Sequence, residues 1–180
     1  MIDRIKLVIQ GVAEIVGSDD VSLITLTDEQ QLKQLSVVCD KTTARQISMR
    51  IGKAPLTSIM LPEVLCRLMG DMDSEHFEVL INDLVDGQYR AMLIEKPTLK
   101  MTPIRVSDAL LLAMVAGLDV YIVLTLMRRQ AVDYKGDARG ISIPVNTLSM
   151  KMLEEALDNA INDENYELAS QLRDEMKRRR

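Results

Sequence analysis

The run Ala109-Leu110-Leu111-Leu112-Ala113-Met114-Val115 carries no polar side chain. Ser107 and Asp108 before it suit the start of a helix and Gly117 after it suits the end, so the pattern predicts a helix over 108–116 capped by Ser107. A helix that is apolar all round has no face to offer water and is normally buried at the centre of a domain. It is also far shorter than the roughly 20 residues that span a bilayer. The rest of the chain must therefore supply layers that enclose it.

Strand patterns supply them, alternating over 4–16 and 21–27 and nearly continuously apolar over 119–124. Residues 4–16, 21–27, 32–39, 75–81, 88–95, 100–105 and 119–124 read as strands. Helices are expected over 40–51, with Asp40 or Thr42 as cap and Gly52 at the end, over 62–69, from Pro62 to Gly70, and over a short stretch capped by Thr125 and ending at Ala131. Gly17 to Asp20 and Asp28 to Gln31 read as turns, and the link Asn82 to Gly87 ends on Asp-Gly, a pair suited to positive φ. The expected fold class is α+β: a mixed or antiparallel sheet domain with packed helices over 1–132, a linker over 133–147 and a C-terminal α-helical hairpin over 148–180. No internal repeat shows in the sequence.

Composition narrows the function classes. The 180 residues are 47% hydrophobic, enough for one packed domain and an appendage. A net charge of −5 argues against tight nonspecific binding of nucleic acid, though it leaves room for a local basic site. With 3% aromatic residues and no Trp, a base-stacking platform for single strands is disfavoured. Cys39 and Cys66 lack metal-ligand spacing and read as reduced core thiols. Neither a signal peptide nor a membrane span is legible, so a soluble, cytoplasmic protein is expected.

At the C-terminus, Leu153, Leu157, Ala160 and Ile161 share one helical face, and Tyr166, Ala169, Leu172 and Met176 share another. Asp163 or Asn165 can cap the second helix. Two helices this short are marginal alone in water, so their stripes are expected to dock on another surface. The run Tyr166-Glu167-Leu168-Ala169 followed by Leu172-Arg173-Asp174 resembles the UVR motif, the helical hairpin of the excision-repair subunits UvrB and UvrC. That resemblance implies pairing with another hairpin or a protein partner, with Leu157, Ile161, Tyr166, Leu172 and Arg173 as the docking residues.

Chemistry is less explicit. There is no Gly-rich phosphate loop, no nucleophile elbow and only one histidine, His76, which reads as structural. Two places combine carboxylates with arginine or turn geometry. At Arg105-Val106-Ser107-Asp108, a guanidinium beside free helix amides can hold a phosphate while Asp108 orients water or a metal; a purely structural Arg105–Asp108 pair is equally open. Asp83 and Asp86 read as turn residues or as metal ligands.

Those places carry a second resemblance. Ala54-Pro55-Leu56-Thr57, the block Asn82 to Ala91, and Arg105-Val106-Ser107-Asp108-Ala109 followed by Val120-Tyr121-Ile122 are together similar to the bifunctional nuclease (BFN) family over residues 2–132. The resemblance implies an α+β domain, often a homo-oligomer, active on DNA and RNA; a following UVR hairpin is a known bacterial arrangement. Where that family commonly has His-Asp, this chain has Ser58-Ile59, and Val106 stands in place of a proline. The expected function is a nuclease, with Mg²⁺ as candidate ion, Arg105 and Asp108 as catalytic residues, and Asp83 and Asp86 as metal ligands. The alternative is a non-catalytic oligomeric adaptor that presents UVR hairpins to repair or protease-complex partners.

Overall fold

The structure is a computed structural model that describes residues 3–14, 20–134, 148, 150–162 and 164–178. Its main body is an eight-stranded mixed sheet packed with helices, followed by a two-helix hairpin. The fold is α+β.

Although the sequence repeats no motif, the topology does. Strands β1 (Arg4–Glu14), β2 (Val21–Asp28) and β3 (Lys33–Asp40) form an antiparallel meander that runs directly into helix α1 (Lys41–Ile51). Strands β4 (Phe77–Val85), β5 (Gln88–Glu95) and β6 (Lys100–Arg105) form a second meander that runs into α3 (Val106–Ala116). The first strand of each unit carries a register shift, at Ile9/Gly11 and at Ile81/Asp83. Between the units lie a 3₁₀ turn (Pro55–Ile59) and helix α2 (Leu61–Met69).

Strand β7 (Asp119–Val123) joins the two meanders, pairing antiparallel with β1 and parallel with β4, so the order is β6-β5-β4-β7-β1-β2-β3-β8. Helix α4 (Leu124–Gln130) and the short β8 (Val132–Asp133) complete the body. The joint is also tied by charge. Arg4 bridges to the buried Glu78 and lies over the Tyr121 ring, 4.1 Å from its centroid, while Lys6 meets Asp119 at 2.9 Å.

As its composition requires, α3 is the centre of the core. Ala109 and Leu110 are fully enclosed, together with Ile24, Leu26, Ile47, Val79 and Ile122 from both meanders and α1. Gly117 ends the helix at φ 66, a conformation that glycine adopts without strain. Asp40 caps α1, its carboxylate accepting from Thr43 N at 2.8 Å, as one of the two expected caps.

Several local expectations change. Ser107 does not cap α3, because the chain passes straight from strand into helix and the last extended residue, Arg105, takes the cap position; Ser107 is buried in the first turn. Likewise Val123, not Thr125, stands at the start of α4. The link over 82–87 shrinks to a two-residue turn, because β4 continues to Val85 and pairs it with Gln88. Asp86 (φ 51) and Gly87 (φ 75) make that turn, which matches the twist of a hairpin. Of the expected linker, Asp133 pairs with Lys33 in the sheet, and 135–147 lie outside the described residues, as do most of the turn at 17–20 and Asp163.

Helices α5 (Met150–Asn162) and α6 (Tyr166–Arg178) close on each other. Leu153 and Leu172 are sealed between them, with Leu148, Ala160 and Ala169, in a small core separate from the main one. Asn165 caps α6 by accepting from Leu168 N at 3.2 Å. The stripes thus cover one another first, since that satisfies both apolar faces at once. Leu172, expected at a docking surface, is an internal residue of the hairpin.

Candidate phosphate-handling cleft

The pairing of β4, β5 and β6 aligns residues far apart in sequence. Asp83 stands opposite Arg90, and Arg90 opposite Arg105, so the three form a row across one exposed face. Arg90 and Arg105 of this row line a cleft of about 770 Å³ between the two meander units. Val37 to Asp40 line it from the first unit, Gln88 to Met92 and Pro103 to Ser107 from the second, and Met152 of α5 reaches its wall.

Arg105 dominates the electrostatics. Its Nε donates to Asp108 Oδ2 at 2.6 Å and its Nη2 to Oδ1 at 2.8 Å, a bidentate pair at the start of α3. Its Nη1 lies 3.9 Å from Asp40 Oδ2, so the guanidinium sits between the carboxylates at the strand-to-helix junctions of the two units. Hydrogen bonding to Asp108 raises the guanidinium's pKa further. The cap bond from Thr43 holds the Asp40 carboxyl below the usual carboxylate range, with Arg105 adding to it. The Arg105 side chain is 70% exposed and open to an incoming anion. Arg90, beside it, makes no ion pair among the described residues.

Two buried polar atoms in the β4–β5 ribbon find no hydrogen-bond partner among the described residues: Asn82 Oδ1, at the register shift, and Tyr89 Oη, in a residue lining the cleft. Burial raises the Tyr89 phenol well above its ordinary pKa. Burial likewise pushes the Cys39 thiol up to about 11, so it is an inert wall residue.

A divalent cation takes oxygen ligands, commonly one or two carboxylates with water and phosphate. Among the described residues no three His, Cys, Asp or Glu side chains converge. Asp40 and Asp108 face Arg105, while Asp83 Oδ1 accepts from Leu84 N at 2.8 Å and Asp86 serves the turn. These donors do not fit a resident divalent cation. Ser58 and Ile59 are absent from the cleft's lining; Ser58 Oγ donates to Pro55 O at 3.0 Å.

The arrangement thus brings Arg105 and Asp108 together as a pair and sets Asp83 in the same row. It adds Arg90, Asp40 and Tyr89, which sequence reasoning did not single out. Arg90 and Tyr89 lay within a quoted motif; Asp40 gave no signal beyond its cap role. In the hairpin, Ile161 and Tyr166 (70% exposed) face outward, as does Arg173, and Leu157 is half-buried.

The body is thus a sheet domain with an arginine-bordered cleft, followed by a hairpin with Ile161 and Tyr166 facing outward. Residues 24–135 match the bifunctional nuclease domain model, and the chain belongs to that family. Residues 149–178 match the UvrB/uvrC motif. No curated protein matches the chain. The family match omits β1, although β1 occupies the middle of the sheet. Among the described residues, no helix is long and apolar enough to cross a membrane.

Proposed function

We propose that this chain is a nuclease acting on the phosphodiester backbone of DNA or RNA at the cleft between its two meander units, and that the C-terminal hairpin brings it to a protein partner. The observation that carries this reading is the adjacent placement of Arg90 and Arg105 across β5 and β6, beside the first turn of α3. Two neighbouring guanidiniums suit a phosphate's oxygens, and the free amides of a helix start add partial positive charge. A phosphate taken by Arg105 competes with Asp108 for the same N–H groups. The carboxylate released in that exchange can accept a proton from a water attacking phosphorus, as the bond from phosphorus to the leaving sugar oxygen breaks and that oxygen takes a proton from solvent. Asp40 keeps the guanidinium oriented during the exchange.

Labelled single- and double-stranded substrates, incubated with the purified protein with and without Mg²⁺, test this reading. Cleavage is expected to fall at least about tenfold in Arg105→Ala and in Asp108→Ala. Activity unchanged in both variants rejects the site.

A second reading is favoured by one observation: Arg105 is already neutralised by two carboxylates, and among the described residues no third metal-ligating side chain joins them. In that reading the chain is a non-catalytic adaptor, and deleting 148–180 abolishes partner capture while the first domain stays folded. Retained capture counts against it.

A further inference from the structure

Successive rungs of the β5–β6 ladder beside the cleft differ in chemistry. Arg90 pairs with Arg105, and the next rung on the same face pairs Met92 with Pro103. All four residues line the cleft, together with Val38 of β3 and Met152 of α5. The cleft is thus divided into a guanidinium rung and an apolar wall roughly 7 Å further along the strands, a separation comparable to that of phosphate and base within one nucleotide. As cross-strand neighbours, Arg90 and Arg105 stand roughly 5 Å apart, close enough to converge on one phosphate group. Carboxylates bound them on both sides: Asp83 stands opposite Arg90 on β4, and Asp40 lies 3.9 Å from Arg105. A second phosphate along a strand would meet one of these acids, so the row holds one phosphate and offers no track for a backbone.

We propose that the cleft is a one-nucleotide site, with a single phosphate on Arg90 and Arg105 and an unpaired base against Met92 and Met152. Resting on the phosphate-handling reading of the arginine row, this narrows the substrate class to unpaired nucleotides. Methionine sulfur makes favourable contacts with aromatic rings, and its flexible side chain adapts to a flat ligand. The side chains of Met92, Pro103, Val38 and Met152 carry no hydroxyl or amide, so this wall suits a base better than a sugar phosphate, whose hydroxyls would lose their hydrogen bonds to water. The volume of about 770 Å³ falls within the range of small-molecule sites, roughly 300–1,000 Å³. A duplex turns its phosphates outward and pairs its bases inside, so a base reaches the methionines only when it is unpaired or flipped out.

Methyl NMR of the full chain, labelled at methionine and kept free of added metal, tests the site, with the Met92 and Met152 signals assigned through Met92→Leu and Met152→Leu. Adenosine monophosphate is the first probe, and inorganic phosphate and adenosine are its parts. The monophosphate should shift both methyls through the ring current of its base and bind at least about tenfold more tightly than either part. Arg90→Ala should weaken it by about tenfold or more. Because Arg90 is exposed, that variant should keep the wild-type circular dichroism spectrum. An unpaired oligonucleotide should move the same methyls, and the same strand annealed to its complement should not. Phosphate binding as tightly as the monophosphate, methyls that stay still, binding untouched by Arg90→Ala, or a duplex that acts like the single strand would each overturn the site. Cleavage is read in a separate assay, so the two readings fail separately. Methyl shifts without cleavage keep the one-nucleotide site and remove the nuclease; Arg105-dependent cleavage with unmoved methyls does the reverse.

Discussion

Replacing Leu153 by alanine isolates what holds the C-terminal hairpin together. Leu153 is fully buried, and only Leu172 matches it within the small core; the remaining buried members include two alanines. A fully enclosed Leu→Ala change costs about 2–5 kcal/mol in larger proteins, where much of the loss is the cavity left behind. A core of this size cannot supply more than a few kcal/mol in total. A loss of about 3 kcal/mol would therefore remove most of the hairpin's closing free energy and raise its open population by about a hundredfold. Native-state amide hydrogen exchange reads this directly. Amides within α5 and α6 should exchange about a hundredfold faster, while those of β4 and α3 should keep their wild-type protection. Unchanged protection in α5 and α6 would refute the claim that Leu153 anchors the hairpin. Equal acceleration in the main sheet would refute the claim that the two cores open separately.

Three further outcomes follow from single residues. His76 Nδ1 lies 2.8 Å from Asp73 Oδ1, and this bond raises the histidine pKa from its ordinary 6.5 while lowering that of Asp73 from 3.8. The raised group contributes fully below 6.5 and loses its contribution as pH rises through the folded value; the lowered group contributes above 3.8 and loses it as pH falls through its own. The pair is thus strongest between those limits, and an NMR titration should return His76 towards 6.5 in Asp73→Asn; no change in that variant refutes the pairing. Leu99 holds φ 57 with its side chain 72% exposed, so Leu99→Gly should raise stability by about 1 kcal/mol in thermal unfolding, and a clear loss would show that the leucine packs on something. Tyr89→Phe removes a buried hydroxyl with no partner among the described residues and should leave stability unchanged or raised by about 1 kcal/mol in denaturant unfolding. A larger loss would mean that the hydroxyl is hydrogen-bonded.

The strands and α3 were legible because their signals are local. The strand expected over Lys100–Arg105 agrees with the structure to the residue, and an apolar run bounded by Ser-Asp and Gly could only be an enclosed helix. Caps were less legible: Ser107 has the right chemistry, but a strand that turns into a helix without a loop leaves Arg105 in the cap position. The row Asp83–Arg90–Arg105 was hidden, because register across three strands depends on where the hairpin turns fall and not on any one segment. For the same reason Asp40 read as a cap alone; its approach to Arg105 is a product of the sheet bringing the ends of β3 and β6 together. The duplicated meander-plus-helix plan left no trace in residue identities, since alternation and turn length specify it under many different side chains. In the hairpin, helical spacing identifies both stripes but not which members the two helices seal between themselves (Leu153, Leu172) and which stay outward (Ile161, Tyr166).

The central place of β7 has a consequence for how the body is assembled during synthesis. Each three-stranded ribbon can zip up from neighbouring turns as soon as it emerges, but β1 and β4 offer bare inner edges until residues 119–123 arrive to lie between them. The late strand thus acts as a latch, and a chain stopped after Ala116 would leave two half-sheets free to pair with strands from other molecules.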